Sequence, residues 1–379
     1  MKNVFVITNG NVLNNLDDNK SATFTRIHYL LNELNEFQDI NVSSIQFKQL
    51  PRTSSTNIIF NNIVKSIVAL KSTVFLIINR PIVFFAYPHS LNTIQNRILF
   101  NASKLLNLKI IMDVHDTIEQ VNVLGNGKSK LNSKIEKDCI VKSSLLLILN
   151  KSMWNSIRNL YNINEEKKVI FIPNAFEKSF LELYPNSYKC VENRLNICYM
   201  GGLTKNRGID ILVQACIELH EKYSCLKLFL FGSYGVGISE ELKYIIESSD
   251  FIIRKEIPRK DIAKSLQTMD LFVMPYNPDI KYMNESSPTK FYEYIGCAKP
   301  IICTKCESLT NVGKNNSILY VDYNVEDFKR MMEFLIQNPR IREEMSKKMT
   351  EIRLDHTWKG RANDLHNAII ALTNNSNES

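Results

Sequence analysis

Glycine is scarce in this chain, with 12 in 379 residues, about half the usual ~7%. Nine of the 12 come after residue 200. A chain this sparing keeps glycine where the backbone is strained or closely approached, so the second half is where a bound ligand is expected. Long apolar runs are also missing. The longest, residues 74–87, is interrupted by Asn79, Arg80 and Pro81, and no run approaches the ~20 residues that span a bilayer. The first ten residues turn polar too quickly for a signal peptide, which gives the expectation of a cytoplasmic protein. Metal-ligand spacing is thin. Of eight cysteines, only Cys303 and Cys306 stand in C-x-x-C register, and no second cysteine or histidine pair follows them, as a zinc site would need. Most of the eight sit among apolar neighbours, where free thiols pack as small hydrophobes.

What is present describes an ordinary folded protein. Hydrophobic residues make up 44% and charged residues 23%, which excludes a mostly disordered chain, and the length suits two or three domains. The net charge of +8 is uneven. Residues 1–182 hold 21 Lys and Arg against 14 Asp and Glu, and the remainder 26 against 25. A positive first half suits an anionic partner, such as a membrane surface, and equally a solvated basic face. Nucleic acid is not expected, because no nucleic-acid module accompanies the basic residues.

Short β-branched runs alternate with longer helical patterns. Strands are expected at residues 4–8, 82–87, 109–112, 145–149 and 169–172, with a helix at 22–34. A polar segment, 183–194, interrupts the rhythm and reads as a linker. Strands at 195–200, 226–231, 251–254, 271–274 and 300–303 then alternate with helices at 209–222, 240–248, 261–269 and 289–296. Helices at 325–337, 339–353 and 357–372 close the chain before a polar tail, 373–379, expected to be disordered. This rhythm means parallel sheets covered on both faces by helices: two doubly wound α/β domains, 1–182 and 195–356, with ligands bound beyond the carboxyl ends of the strands.

Two segments carry chemistry. Residues 199–210, Tyr-Met-Gly-Gly-Leu-Thr-Lys-Asn-Arg-Gly-Ile-Asp, end a strand and start a helix. Gly201 and Gly202 let backbone approach a ligand, and Lys205 and Arg207 would bond phosphate beside a helix N-terminus. The spacing is neither GxGxxG nor a P-loop. The second segment runs from Asn284 to Ile301 and contains Glu285, Ser287, Pro288, Thr289, Lys290 and Glu293. Ser287-Pro288 reads as a cap with proline at the first helical position. The N–H groups of Thr289 and Lys290 would then face an anion, with Glu293 one turn further in to accept bonds from vicinal hydroxyls. Glu285, in the preceding loop, could hold a hydroxyl of a second ring.

The second segment resembles the donor motif of retaining GT-B glycosyltransferases of the large family 4 type, found in bacterial polysaccharide and lipopolysaccharide assembly. Two glutamates flank Ser-Pro-x-Lys, and Glu-Tyr-x-x-x-x-Lys-Pro follows. Residues 199–210 resemble that family's Y-x-G-x-L…K-G-[IV]-D loop, and Met269-Asp270-Leu271-Phe272-Val273-Met274-Pro275 its A-D-L-x-V-x-P strand. Ile172-Pro173-Asn174 resembles the I-P-N-G turn, and Asp113-Val114-His115-Asp116 a D-x-H-[DE] strand end. The resemblance covers residues 100–372 well and the first 99 poorly. Ala175 stands for the turn's glycine, Gly202 where many members carry arginine, and the Gly-Gly loop after the first strand is replaced by the asparagine-rich stretch 9–19.

The resemblance implies a GT-B fold: two Rossmann-like domains facing a central cleft, with helix 357–372 crossing back to the first. It implies a diphosphate held by Arg207 (in place of a lysine), Lys290 and the Ser287–Thr289 backbone. Glu293 would take the ribose, Glu285 the donor sugar, and His115 would contact that sugar near the reaction centre. The base would lie along residues 254–258 and the loop at Gly232. The reaction would be front-face displacement, the leaving phosphate helping to take the acceptor proton. No Asp-x-Asp occurs, so a metal clamp and any resident cofactor are not expected; the co-substrate would be a UDP- or GDP-sugar. The expected partner is a glycan or lipid-linked oligosaccharide acceptor in cell-surface polysaccharide assembly, with peripheral contact at the inner membrane surface. The alternatives are a degenerate scaffold on the same fold and a nucleotide-sugar epimerase.

Several residues have plainer explanations. Asp116 and Glu119 have the spacing of a capping box. His89 reads as structural. Residues 61–78 read as a core helix running into the next strand, with a helix resting on a membrane as the other reading.

Overall fold

The computed structural model describes residues 1–9, 13, 22–45, 55–124, 131–184, 188–190, 194–310, 312 and 316–374. Most of the asparagine-rich stretch 9–19, six positions of the 183–194 segment and residues 375–379 of the tail lie outside them. The chain divides into two compact units, Met1–Pro173 with Arg361–Ser379, and Asn174–Gly360. The division falls ahead of the expected linker, and the helix Lys178–Leu183 belongs to the second unit.

The first unit holds a six-stranded parallel sheet of β1 (Lys2–Ile7), β2 (Ile40–Ser43), β3 (Ile82–Tyr87), β4 (Ile110–Val114), β5 (Leu145–Ile148) and β6 (Val169–Phe171). The order is β2-β1-β3-β4-β5-β6. β3, β4 and β5 are buried at every position, as apolar strands covered on both faces must be. The final helix, Trp358–Asn374, is tied to this unit by His366, which pairs with Asp39 at 2.8 Å and stacks on Phe37. That contact holds the Asp39 carboxyl below its ordinary pKa.

The second unit repeats the plan with β7 (Leu195–Met200), β8 (Leu226–Phe231), β9 (Ile252–Lys255), β10 (Leu271–Met274), β11 (Ile301–Thr304) and β12 (Ile318–Val321). All pairs are parallel, in the order β12-β11-β10-β7-β8-β9. The winding reverses between β7 and β10. Ligands of such sheets bind outside the strand ends at that reversal, so the loops after β7 and β10 are where a site is expected on topology alone. Cys303 and Cys306 are buried at the end of β11, where the Cys306 thiol bonds to the Tyr276 carbonyl.

The longest helix corrects the sequence expectation. Ser55–Asn79 is one helix of 25 residues, and its segment Thr56–Asn79 is long and apolar enough to cross a membrane, with a mean hydropathy of 1.4. Asparagines, serines and two lysines break its apolar residues into short runs, which hid it as a continuous segment. It is not a core helix. Among its described residues only Asn61, Ser72 and Leu76 are buried.

Candidate functional site

Beside the reversal point of the second unit, the ends of β7 and β8 approach so closely that a Cβ on Gly232 would lie 1.9 Å from the Gly201 carbonyl oxygen. Gly201 itself has φ +144° and donates its N–H to the Phe231 carbonyl at 2.8 Å. The strand therefore ends in bare backbone, pressed against the stem of Lys290. Three residues on, the chain makes a single 3-10 turn, Lys205–Arg207, and Gly208 at φ +63° lets it enter the helix Ile209–His220. Arg207 bends back to donate to the Gly202 carbonyl at 3.3 Å, its guanidinium 5.9 Å from the Tyr276 ring centre. The Tyr276 and Tyr199 phenols hold it above its ordinary pKa, so it stays charged. Lys205, by contrast, is exposed with its stem beside Gly237, and no contact joins it to this group.

The helix Thr289–Gly296 delivers the remaining residues. Its position is fixed by Tyr294, which stacks on Phe272 of β10 and accepts a bond from the Met200 N–H at the end of β7, 2.6 Å away. The cap differs from the sequence expectation. Pro288 occupies the N-cap and supplies no side-chain bond. The Ser287 hydroxyl instead accepts from the Asn174 N–H at 2.8 Å, and the Asn174 amide bonds the Ser287 carbonyl. The expected capping role is thus overridden by a tertiary contact, which leaves the Thr289 and Lys290 N–H groups without a bond to any described residue. These are two of the unpaired donors at every helix start, here beside the Lys290 ammonium.

Lys290 is the most telling side chain. Burial, then the charges of Arg207 and Arg259, lower its pKa, against Glu293. It makes no hydrogen bond to a described residue. Arg259 lies beyond the end of β9, one residue past the segment expected for the base, and sequence reasoning missed it. Its guanidinium joins Glu293 at 3.0 Å and Glu177. Glu293 is 2% exposed, so the carboxylate expected to take a ribose is clamped from one side. Glu285 is equally buried, but it ends a short helix, Lys281–Glu285, rather than lying in a loop, and Lys281 is 3.9 Å from it. Arg254 reaches the Gly232 carbonyl at 3.3 Å and lies 4.8 Å from the Tyr234 ring centre. The structure thus groups Gly201, Gly202, Arg207, Ser287, Pro288, Thr289, Lys290 and Glu293, adds Arg259, and leaves Lys205 outside. Among the described residues there is no cluster of three metal-ligating side chains.

His115 belongs to the first unit, one residue past β4. Its N–H donates to the Tyr87 carbonyl, and its Nδ1 is buried without a partner. Burial, opposed by the neighbouring Asp113, brings the ring down to about 4, so it is neutral near pH 7 and can contact a hydroxyl without adding charge. The capping box lies one residue later than expected. The Thr117 N–H donates to Gln120 Oε1 and the Gln120 N–H to Thr117 Oγ1. Asp116 is therefore no cap. Burial, and then the charge of Asp113, push its carboxyl up to about 7.

These two groups have opposite linkage. His115 favours the fold while the unfolded ring is neutral, and that contribution is lost as pH falls from about 6.5 towards 4. Asp116 favours the fold while protonated, and that contribution is lost as pH rises from about 4 through 7. At 1.36 kcal/mol for a tenfold change, His115 is worth up to about 3 kcal/mol and Asp116 up to about 4, so their slopes largely cancel where the two ranges overlap. Urea unfolding of Asp116→Asn from pH 4 to 8 is expected to uncover a stability loss on the acid side. His115→Gln is expected to uncover one on the alkaline side. Curves parallel to wild type in both variants would remove this account.

Residues 182–352, a stretch within the second unit, match the family described as Glycosyl transferases group 1. A curated relative, an uncharacterized glycosyltransferase of Methanocaldococcus jannaschii, is 22% identical over 210 residues, 53% of this chain and 51% of the relative. The match thus spans about half of that relative. Among solved structures, a sucrose-phosphate synthase from Thermosynechococcus elongatus is similar with a TM-score of 0.70 and 13% identity over 98% of this chain and 99% of that one. Anabaena HepE, in complex with UDP and glucose, is similar with a TM-score of 0.63 and 13% identity over the same shares. A trehalose-6-phosphate synthase, OtsA, gives 0.65 and 12%, again over 98% and 99%. The fold is the two-domain α/β arrangement of the GT-B type.

Proposed function

We propose that this chain is a retaining glycosyltransferase that moves a hexose from a nucleoside-diphosphate sugar, UDP- or GDP-linked, to a glycan or lipid-linked oligosaccharide. It would work without a metal ion, on the cytoplasmic face of a membrane, in cell-surface polysaccharide assembly. One observation carries the reading: Lys290 and Arg207 meet the unpaired Thr289 and Lys290 N–H groups at the bare backbone of Gly201 and Gly202. Two fixed cations and a helix N-terminus suit a diphosphate, and they stabilise its charge as the bond to the sugar breaks. Glu293, steadied by Arg259, has an oxygen left for a ribose hydroxyl. In a retaining reaction the acceptor hydroxyl attacks the anomeric carbon from the face the diphosphate leaves, and a leaving phosphate oxygen takes its proton. His115 and Glu285 are assigned to the donor sugar. The HepE structure with UDP and glucose supports this class of donor.

The test is thermal unfolding with UDP, GDP, CDP, dTDP and NAD in turn. A ligand at ~100 times its dissociation constant adds roughly 2.7 kcal/mol, enough to raise the melting temperature by a few degrees. The expected result is a rise with one nucleoside diphosphate that is lost in Glu293→Ala. No rise with any nucleotide, from a folded protein, would overturn the donor site and favour the scaffold.

A further inference from the structure

The helix Ser55–Asn79 turns its apolar side away from the protein. Ile59, Ile63, Ile67, Leu70, Val74 and Ile78 recur at intervals of three or four, which places them on one face, and all are exposed, Leu70 to 67% and Ile78 to 72%. The inward side buries only Asn61, Ser72 and Leu76 among the described residues. A neighbouring helix, Ile94–Leu105, packs against it and exposes Ile94, Ile98 and Leu105. A bond between Gln95 and Ser66 joins the two stripes. An apolar surface of this extent on a folded unit marks an interaction site.

Charge selects the occupant. Neither helix contains an aspartate or glutamate, while Lys65, Lys71 and Arg97 lie on them and Arg80 follows the first. Two copies of this chain meeting through the stripe would oppose cation to cation, whereas an anionic bilayer satisfies both the apolar stripe and its basic flanks. Topology selects the orientation. Only 11 residues separate β2 from this helix and two separate it from β3, and both strands belong to one sheet. A helix of about 37 Å crossing the bilayer would carry its ends to opposite sides. Phe75, moreover, stacks on Phe5 of β1 at 4.5 Å and holds the helix to the unit.

We infer that helices Ser55–Asn79 and Ile94–Leu105 form a docking surface that lies flat in the headgroup layer of an anionic phospholipid membrane. This deepens the proposed function and rests on it for its purpose, which is to bring the chain to a lipid-linked acceptor. The surface can be tested without catalysis, so either reading can fail alone.

The experiment is co-sedimentation of the full chain with phosphatidylglycerol–phosphatidylcholine vesicles and with phosphatidylcholine alone. Wild type is expected to bind the anionic vesicles and to release as salt rises. The double variant Ile67→Glu/Leu70→Glu should bind at least tenfold more weakly, and Lys65→Gln/Lys71→Gln several-fold more weakly, each with an unchanged circular dichroism spectrum. Val74→Asn, a milder change on the same face, serves if the double variant does not fold. Failure of wild type to bind anionic vesicles would overturn the inference, as would binding that ignores these substitutions. A dimer dispersed by Ile67→Glu/Leu70→Glu in sedimentation velocity would assign the stripe to a second copy and also overturn it.

Discussion

Lys290→Met is expected to weaken nucleoside-diphosphate binding about a hundredfold while leaving the unliganded protein as stable as wild type or more so. The two effects share one cause. Lys290 is half-buried, and the charges of Arg207 and Arg259 oppose its own more than Glu293 rewards it. A cation held in that way makes no hydrogen bond to a described residue, so replacing it by an apolar chain of similar length breaks no contact and removes repulsion. With a diphosphate present the balance inverts, because the anion supplies the missing charge. A hydrogen bond to a charged group contributes about 1.5–3 kcal/mol, and charge-assisted pairs to phosphate lie at the strong end. Losing about 2.7 kcal/mol is a hundredfold. Calorimetric titration gives the affinity and a melt without nucleotide gives the stability. Unchanged affinity would remove Lys290 from the site. Lost affinity with a large loss of stability would mean a structural role instead. Arg259→Gln makes a useful contrast, because it unlocks Glu293 and Glu177 together and should cost stability as well as affinity.

The parts of this fold visible in the sequence are those where one physical rule dominates. Residues 82–87, 195–200, 226–231 and 271–274 are strands at the expected bounds, because an apolar run covered on both faces has few alternatives. The strands β2 and β12, four residues each at sheet edges, were too short to carry a clear signal, and β2 is half-polar as well. The helix Ser55–Asn79 shows a limit of periodicity, since a stripe of isoleucines repeats identically whether it faces a core or a membrane. At Ser287 the local rule was sound but lost to Asn174, more than a hundred residues away in sequence. Near Asp116 two overlapping spacings satisfied the same capping rule, and the hydroxyl–amide pair Thr117–Gln120 formed. A carboxylate at the cap would have placed its charge next to that of Asp113. Arg259 had no motif at all. Its meaning arises only when Glu177 and Glu293 converge on it, although the basic pair that follows Pro258, at the end of the segment expected to hold the base, was a usable hint.

Asp113→Ala is expected to destabilise the first unit by about 3–5 kcal/mol, the largest stability effect anticipated for a single side chain outside the donor site. Arg26 and Asp113 are both essentially unexposed, and the guanidinium grips the carboxylate through Nε at 2.9 Å and Nη2 at 2.7 Å. Removing one partner of such a pair leaves the other charge buried without its counter-ion. Replacing both with apolar residues of similar volume, Arg26→Met/Asp113→Leu, should recover most of that loss, since desolvating two charges offsets much of their attraction. The pair also adjoins the two shifted groups, with Asp113 two residues from His115 and three from Asp116. Its negative charge raises both of their pKa values, against burial at His115 and with it at Asp116. The double variant should therefore fold yet titrate Asp116 at lower pH, which nuclear magnetic resonance of the side-chain carboxyl can follow. A single variant as stable as wild type in urea would show that the pair contributes nothing. A double variant no better than the single would show that the two charges are not energetically coupled, and the electrostatic account of His115 and Asp116 would fall with it.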